Sequence, residues 1–219
     1  MLKKKTTADI VVIDIKEHTL NNHLTHCKKI LQTYSKNIII TSIELNRDKY
    51  GRSSVQELVY ALLKAESLHP LIICLSIGST NKRDWPVILQ VVKKLSQNGI
   101  CIVASLSNAR LPTAPASFKE VIGVCTDSFF PYSDPIIYSV RKNKWGVNLF
   151  VTDRDIHYQK KLFCNWSPKD NNIYLPGNSF ATPFVAAQLV YLRKNGIATN
   201  ELTSFFPTAP SINPTSFIG

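Results

Sequence analysis

Ser179 stands in the run Gly177-Asn178-Ser179-Phe180-Ala181-Thr182-Pro183, where a turn enters the last helical segment of the chain. Alone, such a serine has an ordinary use, because serine hydroxyls cap helix N-termini. It becomes a nucleophile only when a base stands beside it, and histidine is the commonest base. The histidines are His18, His23, His26, His69 and His157. His23 and His26 are three residues apart, a spacing that suits a metal, but no second ligand cluster completes a zinc site. Taken by themselves they read as surface or capping residues, and His18, His69 and His157 read as surface residues. Asp14 closes an apolar run and, alone, reads as a cap on the following turn. The eight glycines lie too far apart for a dinucleotide fingerprint or a phosphate-cradling loop, which excludes Rossmann-type cofactor use and P-loop chemistry.

The elements that must position these groups alternate between two patterns. Residues 8–14, 71–75, 100–104 and 121–125 are short, continuously apolar strands, and 37–45 is β-branched and strand-like. Between them lie one-sided helices. Residues 23–34 can form the first. Ser54 with Glu57 makes a capping box for a second over 54–67, with Val55, Leu58, Val59 and Leu62 as its stripe. Asp84 caps a third, with Pro86 in its first turn, Ile88, Val91, Val92 and Leu95 as its stripe, and Gly99 behind it. Apolar strands alternating with such helices predict a parallel sheet covered on both faces. The stretch 128–174 is polar, aromatic and turn-rich, with strand candidates at 136–140 and 147–151. Residues 180–194 are a final helix, and the proline-containing tail 198–219 is expected to lie extended on the body. The whole, 1–219 with a basic extension at 1–7, reads as one domain.

Composition narrows the classes further. With 26 Lys plus Arg against 15 Asp plus Glu, the chain carries a formal charge of +11. Its basic residues are spread out and not interleaved with stacking aromatics, which argues against a nucleic-acid partner; an acidic peptide suits the charge as well. Its apolar runs are too short to cross a bilayer, so no membrane partner is expected. Residues 1–5 are basic, but Asp9 and Asp14 interrupt the apolar stretch behind them and no cleavage pattern follows, so secretion is not expected. Cys27, Cys74, Cys101, Cys125 and Cys164 are odd in number and widely spaced, a reduced, cytoplasmic pattern.

Read in order, several segments resemble the subtilisin-like serine proteases. Residues 177–183 resemble the nucleophile motif Gly-Thr-Ser-Met-Ala-Thr-Pro, with Asn178 for threonine and Phe180 for methionine. Val11-Val12-Ile13-Asp14 resembles the strand that ends in the family's aspartate, and His23-Leu24-Thr25-His26 the His-Gly-Thr-His segment. Leu75-Ser76-Ile77-Gly78-Ser79 resembles the segment that pairs with substrate backbone. Residues 103–108 resemble the run ending in the oxyanion-hole asparagine, and 115–124 a further family strand. The order Asp, His, Ser is the family's own. The resemblance implies a three-layer α/β fold with a mostly parallel central sheet flanked by helices, and acyl-transfer chemistry. Ser179 would attack the scissile carbonyl, and His23 would carry the proton. Asp14 would fix the imidazole, while Asn108 and the Ser179 N–H would hold the oxyanion. Ser76, Ile77, Gly78, Ala104, Ser105 and Leu106 would bind substrate, the peptide lying extended along 75–79 and the specificity pocket walled by Ile77 and 104–106. No cofactor and no metal are expected: Asp153, Asp155 and Asp170 are too isolated for a calcium loop.

The chain departs from the pattern in informative places. Ile15 and Lys16 follow the aspartate where the family has threonine and glycine, and Leu24 and Ser107 also replace glycines. Only eight residues separate Asp14 from His23, and no room is left for a folding pro-segment. A small intracellular endopeptidase dedicated to maturing one peptide or protein precursor follows from this reading. A catalytically silent binder of peptides or of a partner is the alternative the substituted glycines keep open. A basic nucleic-acid-binding protein is the third.

Overall fold

The computed structural model describes residues 7–16, 22–50, 52–127, 137–139, 143–152 and 177–208. Seven strands, β1 (Ile10–Ile15), β2 (Ile40–Leu45), β3 (Ile72–Leu75), β4 (Cys101–Ser105), β5 (Ile122–Asp127), β6 (Ile137–Ser139) and β7 (Leu149–Thr152), form one sheet in the order β2-β1-β3-β4-β5-β7-β6. Every neighbouring pair is parallel except β6 with β7. Among the described residues four helices cover it: α1 (His23–Tyr34), α2 (Val55–Glu66), α3 (Trp85–Gln97) and α4 (Asn178–Lys194). This is the expected three-layer α/β arrangement.

The side chains of β1 explain the layering. Val11 and Ile13 pack in one core with Leu58 and Leu62 of α2 and Val92 and Leu95 of α3. Ile10 and Val12 point the other way, into a core with Ile30 and Leu31 of α1 and Val185 and Leu189 of α4. A strand buried on both faces has no polar side to alternate with, hence its unbroken apolar run.

Several boundaries differ from the sequence reading for local reasons. The strand expected at 37–45 starts at Ile40, because Asn37 adopts a left-handed φ of 56°, which asparagine tolerates and a strand does not. The capping box at α2 is only half made. Ser54 Oγ accepts from the Glu57 N–H at 3.1 Å, but the Glu57 carboxylate turns to Asn46 and Ser53. Asp84 gives α3 no side-chain cap, since its carboxylate accepts from the Ser79 hydroxyl instead. The tail is not extended throughout: Thr199–Phe205 is a 3₁₀ helix that buries Leu202 in the α1/α4 core. Asp153, Asp155, Cys164, Asp170, His18 and His157 lie outside the described residues.

The register fixes what stands at the sheet's carboxyl edge. Ile13 pairs with Leu75, and Leu75 with Ala104. The next residue of each strand, Asp14, Ser76 and Ser105, therefore falls on one row. Open parallel sheets place their sites at such an edge.

Candidate active site

Asp14 is buried at the end of β1, with Oδ1 accepting from the Ile15 N–H at 2.8 Å. That bond aims Oδ2 at His23 Nδ1, 2.5 Å away. His23 is the first residue of α1, whose start is fixed by Asn22 Oδ1 accepting from the Thr25 N–H at 2.8 Å. The short connection thus joins the two side chains. The lost glycines need no unusual torsion, as neither Lys16, Leu24 nor Ser107 has a positive φ. Leu24 instead fills the core under α1.

Cys27, one helical turn after His23, is buried with Sγ 3.6 Å from His23 Nδ1. The sequence reading gives it no part in the site, but a four-residue step on a helix puts it on the histidine's own face. His26 is also buried, edge-on to Phe180 at 6.3 Å, and is not a surface residue. Burial alone would lower the His23 pKa. The hydrogen bond to Asp14, then the one to Cys27, outweigh it and push the value up to about 10. Burial raises the Cys27 thiol, so it is protonated at neutral pH and the aspartate is the group that steadies the imidazolium.

Ser179 enters from the opposite side, in the first turn of α4. Pro183 lies four residues on and has no N–H, so the Ser179 carbonyl loses its helical donor. The Ser76 hydroxyl replaces it at 2.8 Å, with Cys27 Sγ at 3.9 Å. The side chain of Ser76 therefore holds the backbone of Ser179. Phe180 lays its ring against His23 with centroids 4.5 Å apart, bringing α1 and α4 together at the site.

Asn108 follows β4. Its Oδ1 accepts from the Asn178 N–H at 3.0 Å, which leaves Nδ2 with no protein acceptor among the described residues. Close approach is possible because residue 177 is glycine: a Cβ there would lie 3.0 Å from Asn108 Oδ1, and its φ of 156° also disfavours a side chain. Asn108 and Ser179 face a common cleft of about 260 Å³, lined also by Ser76, Ile77, Gly78, Ser105 and Leu106. A second cavity of about 790 Å³ lies beside the same 77–80 segment, edged by Arg47, Arg52, Glu57 and Asp84. Of the first-turn N–H groups of α4, that of Asn178 donates to Asn108 and that of Phe180 to the Gly177 carbonyl, which leaves the Ser179 N–H with no acceptor among the described contacts at a helix end that favours negative charge.

Two of the expected substrate contacts fall elsewhere. The Ala104 side chain is fully buried in the α2/α3 core and does not line the cleft, because strand alternation turns it away from the side Ser105 faces. Ser79 already exchanges both main-chain bonds with Ala114 at 2.8 Å, which leaves Ser76, Ile77 and Gly78 as the open part of the segment. Gly78 is required there, since a Cβ would sit 2.5 Å from the Ala114 carbonyl oxygen. Asp14 joins His23, and Asn108 joins Asn178 beside Ser179, but among the described contacts no hydrogen bond runs from the Ser179 hydroxyl to the imidazole. Such bonds are often long in unliganded enzymes and tighten around substrate.

Asp14, His23 and Cys27 are also the one described cluster whose donor atoms could hold a metal, lying within 4.8 Å of one another. The 2.5 Å between His23 Nδ1 and Asp14 Oδ2 is that of a hydrogen bond. Two ligands on one tetrahedral zinc would stand about 3.3 Å apart. The geometry fits a proton between them, not an ion.

No protein-family profile and no curated protein sequence matches the chain. Solved structures do. A lanthipeptide protease is similar over 89% of this chain and 78% of its own, with a TM-score of 0.60 and 14% identity. Prenylagaramide maturation protease PagA is similar over 98% and 88%, at 0.58 and 16%. The self-cleaved protease domain of PatA is similar over 88% and 85%, at 0.50 and 16%. The fold is the α/β fold of these proteases, and it fits the subtilisin-like resemblance seen in the sequence.

Proposed function

We propose that the chain is a subtilisin-like serine endopeptidase that matures a peptide or protein precursor. The observation that carries this reading is that the hydrogen-bonded Asp14–His23 pair stands at the same sheet edge as the cleft shared by Ser179 and Asn108, with Asn108 held by the N–H of Asn178, the neighbour of Ser179. In the reaction Ser179 Oγ attacks the scissile carbonyl carbon while His23 takes its proton, and Asp14 steadies the resulting imidazolium. The carbonyl oxygen, now negative, is received by Asn108 Nδ2 and the Ser179 N–H. His23 then gives its proton to the leaving amine, and water repeats the sequence to release the acyl group. The substrate lies extended on Ser76–Gly78, with Ile77, Ser105 and Leu106 forming the pocket wall.

The maturation role draws on two similar structures, a lanthipeptide protease and a prenylagaramide maturation protease. The net charge of +11 favours an acidic substrate. A cytoplasmic setting agrees with Cys27, Cys74, Cys101 and Cys125, which are all buried and not in disulfides. Among the described residues no helix is long and apolar enough to cross a membrane.

A fluorophosphonate probe followed by peptide cleavage tests the reading. Labelling of the folded protein that disappears in Ser179→Ala, and hydrolysis of acidic peptides that slows as salt is added, are the expected results. Folded protein that resists the probe would instead establish a silent peptide binder, the alternative favoured by the missing Ser179–imidazole hydrogen bond.

A further inference from the structure

Asn178 is a departure from the nucleophile motif that the reaction scheme leaves unused. It is 3% exposed, and each hydrogen-bonding group of its carboxamide is engaged. Oδ1 accepts from the Thr126 N–H at 2.8 Å and the Thr126 hydroxyl at 3.0 Å. Nδ2 donates to the carbonyls of Leu106 at 3.0 Å and Ser107 at 3.2 Å. Its own N–H donates to Asn108 Oδ1 at 3.0 Å. A carboxamide has two donors and two lone pairs, and here all four are used. One side chain thus ties the end of β5, the exit of β4 and the first turn of α4, the three pieces that frame the cleft.

Consider what holds Asn108 otherwise. It is exposed, on a turn that runs from Ser107 to Arg110, and its own side chain has only the Asn178 N–H as partner among the described contacts. The two carbonyls just upstream, Leu106 and Ser107, are gripped by Asn178 Nδ2. The backbone that carries the oxyanion donor and the backbone that carries the nucleophile are therefore fixed to the same residue. Threonine, the motif's usual residue, has a single hydroxyl donor and cannot span both carbonyls.

We propose that Asn178 is a positioning residue that sets Asn108 Nδ2 against the Ser179 hydroxyl, acting on the rate of acyl transfer through Asn108. This rests on the proteolytic reading above. Loss of the clamp leaves the main chain of Ser76–Gly78 untouched and reaches the pocket wall through the Leu106 carbonyl, so kcat falls far more than KM rises. A displacement of about 1 Å at such a site costs up to about 10² in rate.

A double-mutant cycle with Asn178→Thr and Asn108→Ala tests it, read by kcat, KM and fluorophosphonate labelling rate on folded protein. Asn178→Thr is expected to lower kcat about 10- to 100-fold with KM nearly unchanged. In the Asn108→Ala background the same change should cost almost nothing further, because the group it positions is gone. Additive losses, or a rise in KM alone, overturn the proposal. If Asn178→Thr does not fold, Thr126→Val removes only the 3.0 Å hydroxyl bond and must show the same non-additivity on a smaller scale. A folded wild type that takes no label removes the proteolytic reading and this proposal together, whereas a labelled wild type with an additive cycle removes the proposal alone.

Discussion

The two helical layers on the central sheet are built to different rules. α2 and α3 are plain amphipathic helices: their buried residues, Leu58, Ala61, Leu62 and Ala65 in one and Ile88, Val91, Val92 and Leu95 in the other, recur at helical spacing. α1 and α4 are not. Together they bury His26, Asn178 and Thr182, carry Pro183 inside a helix, and begin α4 behind a glycine at φ 156°. Polar groups are costly to bury and persist where each finds a partner. One layer holds the sheet together, and the other trades regularity for the buried polar contacts that surround the candidate site. Mutations should therefore separate chemistry from stability according to the layer they strike.

The largest separation is expected from Asp14→Asn. It keeps the shape of the β1 end but takes away the group that holds and charges His23, and turnover should fall by about 10⁴. The pH profile sharpens the test. His23 must be neutral to accept a proton, so wild-type kcat/KM should rise with pH through a midpoint above the ordinary histidine value of 6.5, towards about 10. In Asp14→Asn the midpoint should move down. The sign for stability is the reverse: a folded-state pKa raised above the unfolded one stabilises fully below about pH 6.5, and the contribution is lost as pH rises to about 10. The variant's loss of thermal stability should accordingly shrink at alkaline pH. An unshifted profile would place the imidazole outside the reaction.

The opposite result is expected from Leu62→Ala in α2. Leu62 is fully buried against Val11 and Ile13, and its truncation should cost about 2–5 kcal/mol of stability. Probe labelling per folded molecule should change little, because the α2/α3 core meets the cleft at Ile77 and Leu106 on the pocket wall and not at Asp14, His23 or Ser179. A labelling rate that falls with the melting temperature would show the two layers to be coupled.

The same contrast explains how far the sequence could be read. The α2/α3 layer was legible because stripe, cap and breaker agree: the helix expected over 54–67 is Val55–Glu66, and Gly99 follows α3 at φ 77°. Asp14, His23, Asn108 and Ser179 were singled out through ordered resemblance, not through periodicity. What escaped were contacts between distant residues. Nothing local says that Ser76 will replace the donor missing at Pro183, or that Asn178 will reach Thr126 and Ser107. Cys27 carried a weak signal, its four-residue step from His23. Asp84 misled, because a nearby hydroxyl on Ser79 outcompeted the helix N–H groups it was expected to cap.

The smallest effect discriminates between two serines. Ser54 precedes α2 and accepts from the Glu57 N–H at 3.1 Å; Ser54→Ala should cost about 1 kcal/mol. Ser179 also stands at a helix start, but the cap position there is Gly177, with no side-chain cap bond, and no hydrogen bond of the Ser179 hydroxyl to a backbone N–H is present among the described contacts. If that hydroxyl is kept for chemistry, Ser179→Ala should leave the melting temperature within the small change expected of a neutral substitution, about 0.5 kcal/mol, while abolishing the label. Denaturant melts of the two alanine variants under one set of conditions decide the matter. Equal destabilisation would make Ser179 a cap like Ser54, and the ordinary use of a serine at a helix N-terminus would account for it.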